Sequence, residues 1–188
     1  MRKIGIYGGT FDPIHHGHLI LAREAFEQLA LDKVIFVPAA LSPFKGAPSA
    51  AAEARLRMLR VAIEGEPEFV SDDCDLRRAP PSYTFDTVGQ IRQREGEATF
   101  YYLLGEDNIE GLSRWHRFNE LRELVDFVVL DRSGTAPKHP YRTVRRKIDI
   151  SATEIRKRVA SGRSIRYLVP AAVEEIIRQE NLYREQGK

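Results

Sequence analysis

Short, nearly unbroken apolar runs recur along the chain, each alternating with a longer stretch of helical periodicity. "KVIFVP" (33–38), "ATFYYLLG" (98–105) and "DFVVLD" (126–131) are the clearest. They lack the apolar–polar alternation of a strand with one wet face, so they read as strands buried on both sides. A further strand is expected at Lys3–Tyr7, with short ones at 68–71, 74–77 and near 144–150. Helices are expected at 15–30, where Leu19, Ala22, Phe26 and Leu29 repeat on one face, at 53–65, from Thr84 to Arg94 and within 107–124. Two more close the sequence, "SATEIRKRVASG" and "PAAVEEIIRQENLY". This alternation predicts an α/β protein: a Rossmann-like, doubly wound parallel sheet with helices on both faces and a small C-terminal helical segment at about 151–188. The sequence has 188 residues, with no internal repeat and no obvious linker. Residues 1–188 are therefore expected to form one domain.

Charge and cysteine content narrow the class of partner. The 29 basic residues against 27 acidic ones leave a formal charge of only +2. That is no polybasic signature, and nucleic acid is not expected as a partner. No apolar run approaches the roughly 20 residues that a bilayer span needs, and "MRKIGIYGG" has no apolar core of a signal peptide. A cytoplasmic setting is expected, in keeping with the single cysteine, Cys74. A nucleophilic Cys74 is disfavoured, because "SDDCDL" surrounds it with carboxylates that raise a thiol pKa.

Chemistry concentrates at the ends of the predicted strands. Ligands of open parallel sheets bind there, near the point where strand order reverses. Three such ends carry polar or glycine-rich residues: Gly8-Gly9-Thr10, Gly105-Glu106-Asp107 and Ser151-Ala152-Thr153. In "GGTFDPIHHGHL" (8–19), Gly8 and Gly9 are expected to form a tight turn that feeds a helix N-terminus. Unpaired amides and the helix dipole favour phosphate there. His15 and His18 share a face, His16 points away, and Gly17 leaves room for a ligand. Zinc held by the histidines and Asp12 is an alternative, but His116, His139 and Cys74 complete no recognisable ligand spacing. Plain capping is another. Phosphate contact is the reading favoured for His15 and His18, with no protein-bound metal.

"GGTFDPIHHGHL", with its H-x-G-H element, resembles the N-terminal signature of the nucleotidylyltransferase superfamily, and "ISATEIR" (150–156) resembles its second signature. "PSYTFDT" (81–87), "LLGEDN" (103–108) and "LSRWHRF" (112–118) narrow the resemblance to the bacterial nicotinate-nucleotide adenylyltransferase family. It extends over essentially the whole chain. The resemblance implies transfer of the adenylyl group of ATP to nicotinate mononucleotide, giving nicotinate adenine dinucleotide and pyrophosphate in NAD biosynthesis. It implies catalytic roles for Thr10, His15, His18 and Arg156. ATP contacts are implied at Gly8, Gly9, Thr10, His15, His18, Lys45, Gly105, Asp107, Ser151, Thr153 and Arg156. Mononucleotide contacts are implied at Tyr83, Thr84, Trp115 and Lys45. Phe44 stands where the family often has a histidine.

Each role has a physical basis. Arg156 offers a planar, permanently charged donor set, and Thr153 a hydroxyl in the first helical turn. Ser151 and Glu154 make a capping box. A carboxylate at Asp107 can accept from ribose hydroxyls. The sole tryptophan, Trp115, can face a cationic pyridine ring. Donors at Tyr83 and Thr84 would satisfy a carboxylate and mispair with an amide, which predicts preference for the acid. Mg2+ is expected to accompany ATP, held by phosphate and water. Three alternatives stand beside this reading: a transferase using another phosphorylated acceptor such as phosphopantetheine, a non-catalytic nucleotide-binding module, and a histidine-based metal hydrolase. A homo-oligomer is compatible with the sequence.

Overall fold

The computed structural model describes residues 1–41, 46–133 and 139–184. Its elements run β1 (Arg2–Gly9), α1 (His16–Leu29), β2 (Lys33–Pro38), α2 (Ala52–Ala62), β3 (Phe69–Ser71), α3 (Thr84–Glu95) and β4 (Ala98–Gly105). A 3-10 helix (Glu106–Arg114) follows, then α4 (Phe118–Leu124), β5 (Asp126–Asp131), β6 (Arg142–Arg145), α5 (Ala152–Ala160) and α6 (Ala171–Gln179). Among the described residues the strands form one sheet in the order β3-β2-β1-β4-β5-β6, every neighbour parallel. The chain winds outward from β1 to β3, crosses back, and winds outward again from β4. Strand order therefore reverses between β1 and β4, and their carboxyl ends splay into the crevice where such folds bind ligands.

Two apolar layers explain why the strand sequences look continuous. Val34, Phe36, Leu103, Val128 and Leu130 pack on one face against α1, α2, α5 and α6. Ile4, Ile6, Ile35, Val37, Tyr102, Leu104 and Val129 pack on the other, against α3 and α4. Successive residues point to opposite faces of a strand. With helices on both sides, each successive residue meets a core. Burying one such side chain contributes about 1.5–3 kcal/mol. The C-terminal segment joins the first layer through Val173 and Ile177.

Several expectations need correction. Residues 74–77 form a turn, not a strand. The Cys74 amide donates to Asp72 Oδ1 at 3.0 Å, and the Leu76 amide to the Asp73 carbonyl at 2.9 Å. Local acceptors of this kind divert the backbone from sheet pairing. The last strand occupies 142–145 rather than 144–150. The helical segments expected within 107–124 are present as the 3-10 helix and α4, with Trp115 at the break between them. Gly8 and Gly9 do not turn at all: they stay in β1, opposite Val37 and Pro38. The turn is taken by Phe11, at φ 48°.

Candidate active site

The two resembling signatures meet in one cleft of about 810 Å3, at the carboxyl ends of β1 and β4. Gly8, Gly9, Thr10, His15 and His18 line it from the first half of the chain, and Ser151, Thr153 and Arg156 from the end. Gly105 and Asp107 form a further wall. A second chamber of about 90 Å3 is lined by Tyr83, Thr84 and Trp115, and it shares Gly8, Gly9, Thr10 and Asn108 with the first. The sheet's strand order thus unites every described candidate residue in two adjoining spaces. Lys45 lies outside the described residues.

Packing, more than ligand access, explains the glycines. A Cβ on Gly8 would stand 2.1 Å from the Tyr102 hydroxyl, and one on Gly9 2.8 Å from the Phe11 ring. Gly17 was expected to admit a ligand. It lines the cleft, and it also admits its own neighbour, since a Cβ there would lie 3.0 Å from Cε1 and Nδ1 of His15.

The histidine pair is held on all sides. The His15 amide donates to His18 Nδ1 at 3.3 Å, and the two rings stack with centroids 3.7 Å apart at 19°. Phe11 and Tyr7 set their rings edge-on to His18, at 5.1 and 6.1 Å. Burial, with the charges of Arg132 and His16, pushes the His15 pKa down to about 3, so its imidazole is neutral near pH 7. Its Nδ1 is buried and has no hydrogen-bond partner among the described residues. His16, unlike His15 and His18, does not line the cleft, and its amide donates to the Leu168 carbonyl at 3.0 Å.

At the other helix start, the Ser151 hydroxyl accepts from the Glu154 amide at 3.2 Å, the first half of the expected capping box. Arg156 donates through Nη1 to the Asp12 carbonyl at 2.7 Å and through Nη2 to Thr153 Oγ1 at 3.4 Å. Helix α5 thereby presents Thr153 and Arg156 together, facing the start of α1 across the cleft. The Asp107 carboxylate folds over Gly105, where a Cβ would meet Oδ1 at 2.5 Å.

Aromatic rings build the small chamber. Trp115 meets Tyr102 edge-on at 5.7 Å, and the Tyr83 and His116 rings lie 4.4 Å apart, tilted by 31°. Thr84 Oγ1 lies 3.4 Å from the Tyr102 hydroxyl. Burial, offset in part by the Thr84 hydroxyl, pushes the Tyr102 phenol up to about 12, which keeps it protonated. Cys74 is buried, and burial with Asp72 and Asp75 raises its thiol to about 12, which leaves no nucleophile there.

Some lining residues were missed. Arg132 follows β5 directly and lines the large cleft. The strand-end rule that singled out Gly105 applies equally to it. Asn108, adjoining both spaces, lies in the "LLGEDN" motif next to Asp107. His116 and Asp75 line the small chamber. Asp75 accepts from Thr87 Oγ1 and from Arg78, while burial raises its carboxyl against their pull. It carried no signal, because its segment reads as a strand. Asp12, weighed as a metal ligand, spends its carboxylate on the Ser49 and Ala50 amides, at 2.7 and 3.1 Å. Among the described residues no group of three or more histidine, cysteine or acidic side chains is placed to hold a metal ion. Nor is any helix among them long and apolar enough to cross a membrane.

A doubly wound parallel sheet with a helix-start cleft at its switch point defines a nucleotide-binding class of protein. A family model described as "Cytidylyltransferase-like" matches residues 6–158. A protein of Geobacillus thermodenitrificans described as a "Probable nicotinate-nucleotide adenylyltransferase" is 43% identical over 187 residues, covering 97% of this chain and 87% of its own length. One of Exiguobacterium sibiricum, described in the same words, is 41% identical over 186 residues, covering 96% and 98%. The fold matches the solved structure of Plasmodium falciparum nicotinic acid mononucleotide adenylyltransferase with a TM-score of 0.81, at 20% identity and over 97% of this chain and 98% of that one. The chain belongs to the cytidylyltransferase-like family and, within it, to the nicotinate-nucleotide adenylyltransferases.

Proposed function

We infer that the protein transfers the adenylyl group of ATP to nicotinate mononucleotide, releasing pyrophosphate and forming nicotinate adenine dinucleotide. The observation that carries this is the junction of two unlike spaces at Gly8-Gly9-Thr10: a polar cleft between two helix starts and a smaller aromatic chamber. A triphosphate suits the first and a pyridine ring the second, so the reacting phosphates would meet at the shared seam.

The chemistry needs no strong base. A phosphate monoester has a second pKa of about 6 and is already anionic near neutrality. One of its oxygens forms a bond to the ATP α-phosphorus, and the bond from that phosphorus to the β-phosphate bridging oxygen breaks with its electron pair. Catalysis then consists of aligning two anions and stabilising the charge that develops. In this reading Thr10, His15 and His18 hold the reacting phosphates, while Ser151, Thr153 and Arg156, with Lys45, hold the departing end. Asp107 and Gly105 meet the adenosine. Mg2+ enters with ATP, bound by phosphate oxygens and water. Tyr83, Thr84 and Trp115 hold the pyridine ring and its carboxylate. A reducing, cytoplasmic setting fits the unpaired, buried Cys74.

Pyrophosphate release from ATP and Mg2+, measured with different acceptors, tests the reading. Nicotinate mononucleotide is expected to support turnover, nicotinamide mononucleotide far less, and phosphopantetheine none. His18→Ala should lower turnover by about 10²–10³, the usual cost of one preorganised donor, with an unchanged circular dichroism spectrum. Equal efficiency on acid and amide would remove the role given to Tyr83 and Thr84, and tight ATP binding without pyrophosphate release would favour a non-catalytic module.

A further inference from the structure

Tyr183 is absent from the walls of both spaces, yet its hydroxyl donates to Asp12 Oδ1 at 2.7 Å. The amides of Ser49 and Ala50 converge on the same carboxylate, at 2.7 and 3.1 Å. Asp12 is only 5% exposed. With these three donors its side chain serves as a junction between segments, while its carbonyl, one residue away from the turn at Phe11, accepts from Arg156 Nη1 at 2.7 Å. Asp12 therefore joins the loop that rims the cleft, the start of α5 and the end of the chain, which lies 171 residues downstream.

A second charge backs this junction. Arg55, 1% exposed, donates from Nη1 to the carbonyls of Thr10 at 2.7 Å and Ala39 at 2.8 Å, and from Nε to that of Ala50 at 3.3 Å. The carbonyl ends of β1 and β2 and the rim loop are thus fixed from behind. Tyr183 itself sits at φ 62°, and Asn181 at φ 51°. A bulky residue rarely adopts that left-handed backbone, and does so where its surroundings over-determine it. Its ring packs against the first core layer, and its hydroxyl ends on Asp12.

We propose that Tyr183 is a positioning residue for the triphosphate site: its hydroxyl fixes Asp12, which in turn aims the Arg156 guanidinium and holds the Ser49–Ala50 rim. The proposal rests on the reading that Arg156 grips the outer phosphates of ATP. It concerns ground-state and transition-state contacts to ATP and leaves the small chamber untouched, so its signature is selective.

Tyr183→Phe removes the hydroxyl and keeps the ring. Its melting temperature should stay within a few degrees of wild type, while KM for ATP rises about five- to tenfold and KM for the mononucleotide stays unchanged. Asp12→Asn, which weakens the same junction from the acceptor side, should show the same split. If Tyr183 works through Arg156, its effect on KM for ATP should vanish in an Arg156→Lys background, because coupled residues are non-additive. An unchanged KM for ATP in Tyr183→Phe, or the same fold-change in both backgrounds, overturns the proposal. Equilibrium binding of ATP with Mg2+ to the same proteins separates the two readings. A wild type that binds ATP but releases no pyrophosphate overturns the proposed function, while weaker ATP binding by Tyr183→Phe still supports the positioning role.

Discussion

At the residue scale, the unusual group is His15. Its imidazole is buried under the His18 ring and beside Arg132, and its pKa falls to about 3 from an ordinary 6.5. In the unfolded chain the same imidazole gains a proton as the pH drops below about 6.5. The unfolded state then binds more protons than the native one, so stability falls with falling pH between about 6.5 and 3. From pH 7 to pH 5 this one group should remove about 2 kcal/mol. His15→Gln cannot titrate. Urea unfolding at the two pH values should show a loss smaller by about that amount in the variant. An identical loss in both proteins would mean that the native His15 protonates freely. The sequence pointed to His15 and His18 through their spacing. It could not reveal that one ring lies flat on the other, because that depends on Gly17 and on Phe11 and Tyr7 packing from β1 and its following turn.

At the element scale, two helix starts face the cleft, one shaped from within its own first turn and the other by a residue distant in the chain. The first turn of α1 is shaped by Gly17, which lets the His15 ring fold back over the helix. Gly17→Ala should separate stability from function. Alanine is the better helix former by about 1 kcal/mol, but the added methyl must push the His15 ring aside, and His18 with it. Misplacing a catalytic group by a fraction of an ångström is costly. A melting temperature close to wild type together with a fall in turnover of about tenfold or more is expected. A variant that melts normally and turns over normally would show that the His15 position is not critical. Helix α5 is begun by Ser151, as the S-x-x-E pattern indicated, yet its arginine is aimed by Asp12, 144 residues away in the chain. The capping residue was legible and the aiming partner was not. The helical segments expected around 107–124 are two, since Asn108 turns its side-chain amide onto the Gly105 carbonyl at 3.1 Å and the chain breaks at Trp115. That break sets the tryptophan on the chamber wall.

At the scale of the whole molecule, the candidate active site consists of two spaces on one sheet edge, and the sole tryptophan belongs to only one of them. Trp115 should therefore report on the occupant of the small chamber. Nicotinate mononucleotide is expected to quench its fluorescence by ring stacking, and ATP alone to leave it nearly unchanged. Quenching by ATP at the same concentration, with none from the mononucleotide, would reverse the assignment of the two spaces. The same division explains the correction at Gly8 and Gly9. The strand must run straight past both spaces, and small residues are needed there because Tyr102 reaches across from β4 while Phe11 folds back from the turn.

The alternation of doubly buried strands with amphipathic helices determined the α/β class, and the two signatures with their companion motifs determined which residues to watch. Both are local patterns of side-chain type, written directly in the sequence. Tertiary structure decided how far these patterns reach. The order β3-β2-β1-β4-β5-β6 brings residues 8–18, 105–107 and 151–156 to one edge. Burial then made His15 neutral and left Cys74 inert. Only the folded chain joins Tyr183 to Asp12 and Asp12 to Arg156, since hydrogen bonds between segments so distant in sequence leave no periodic trace.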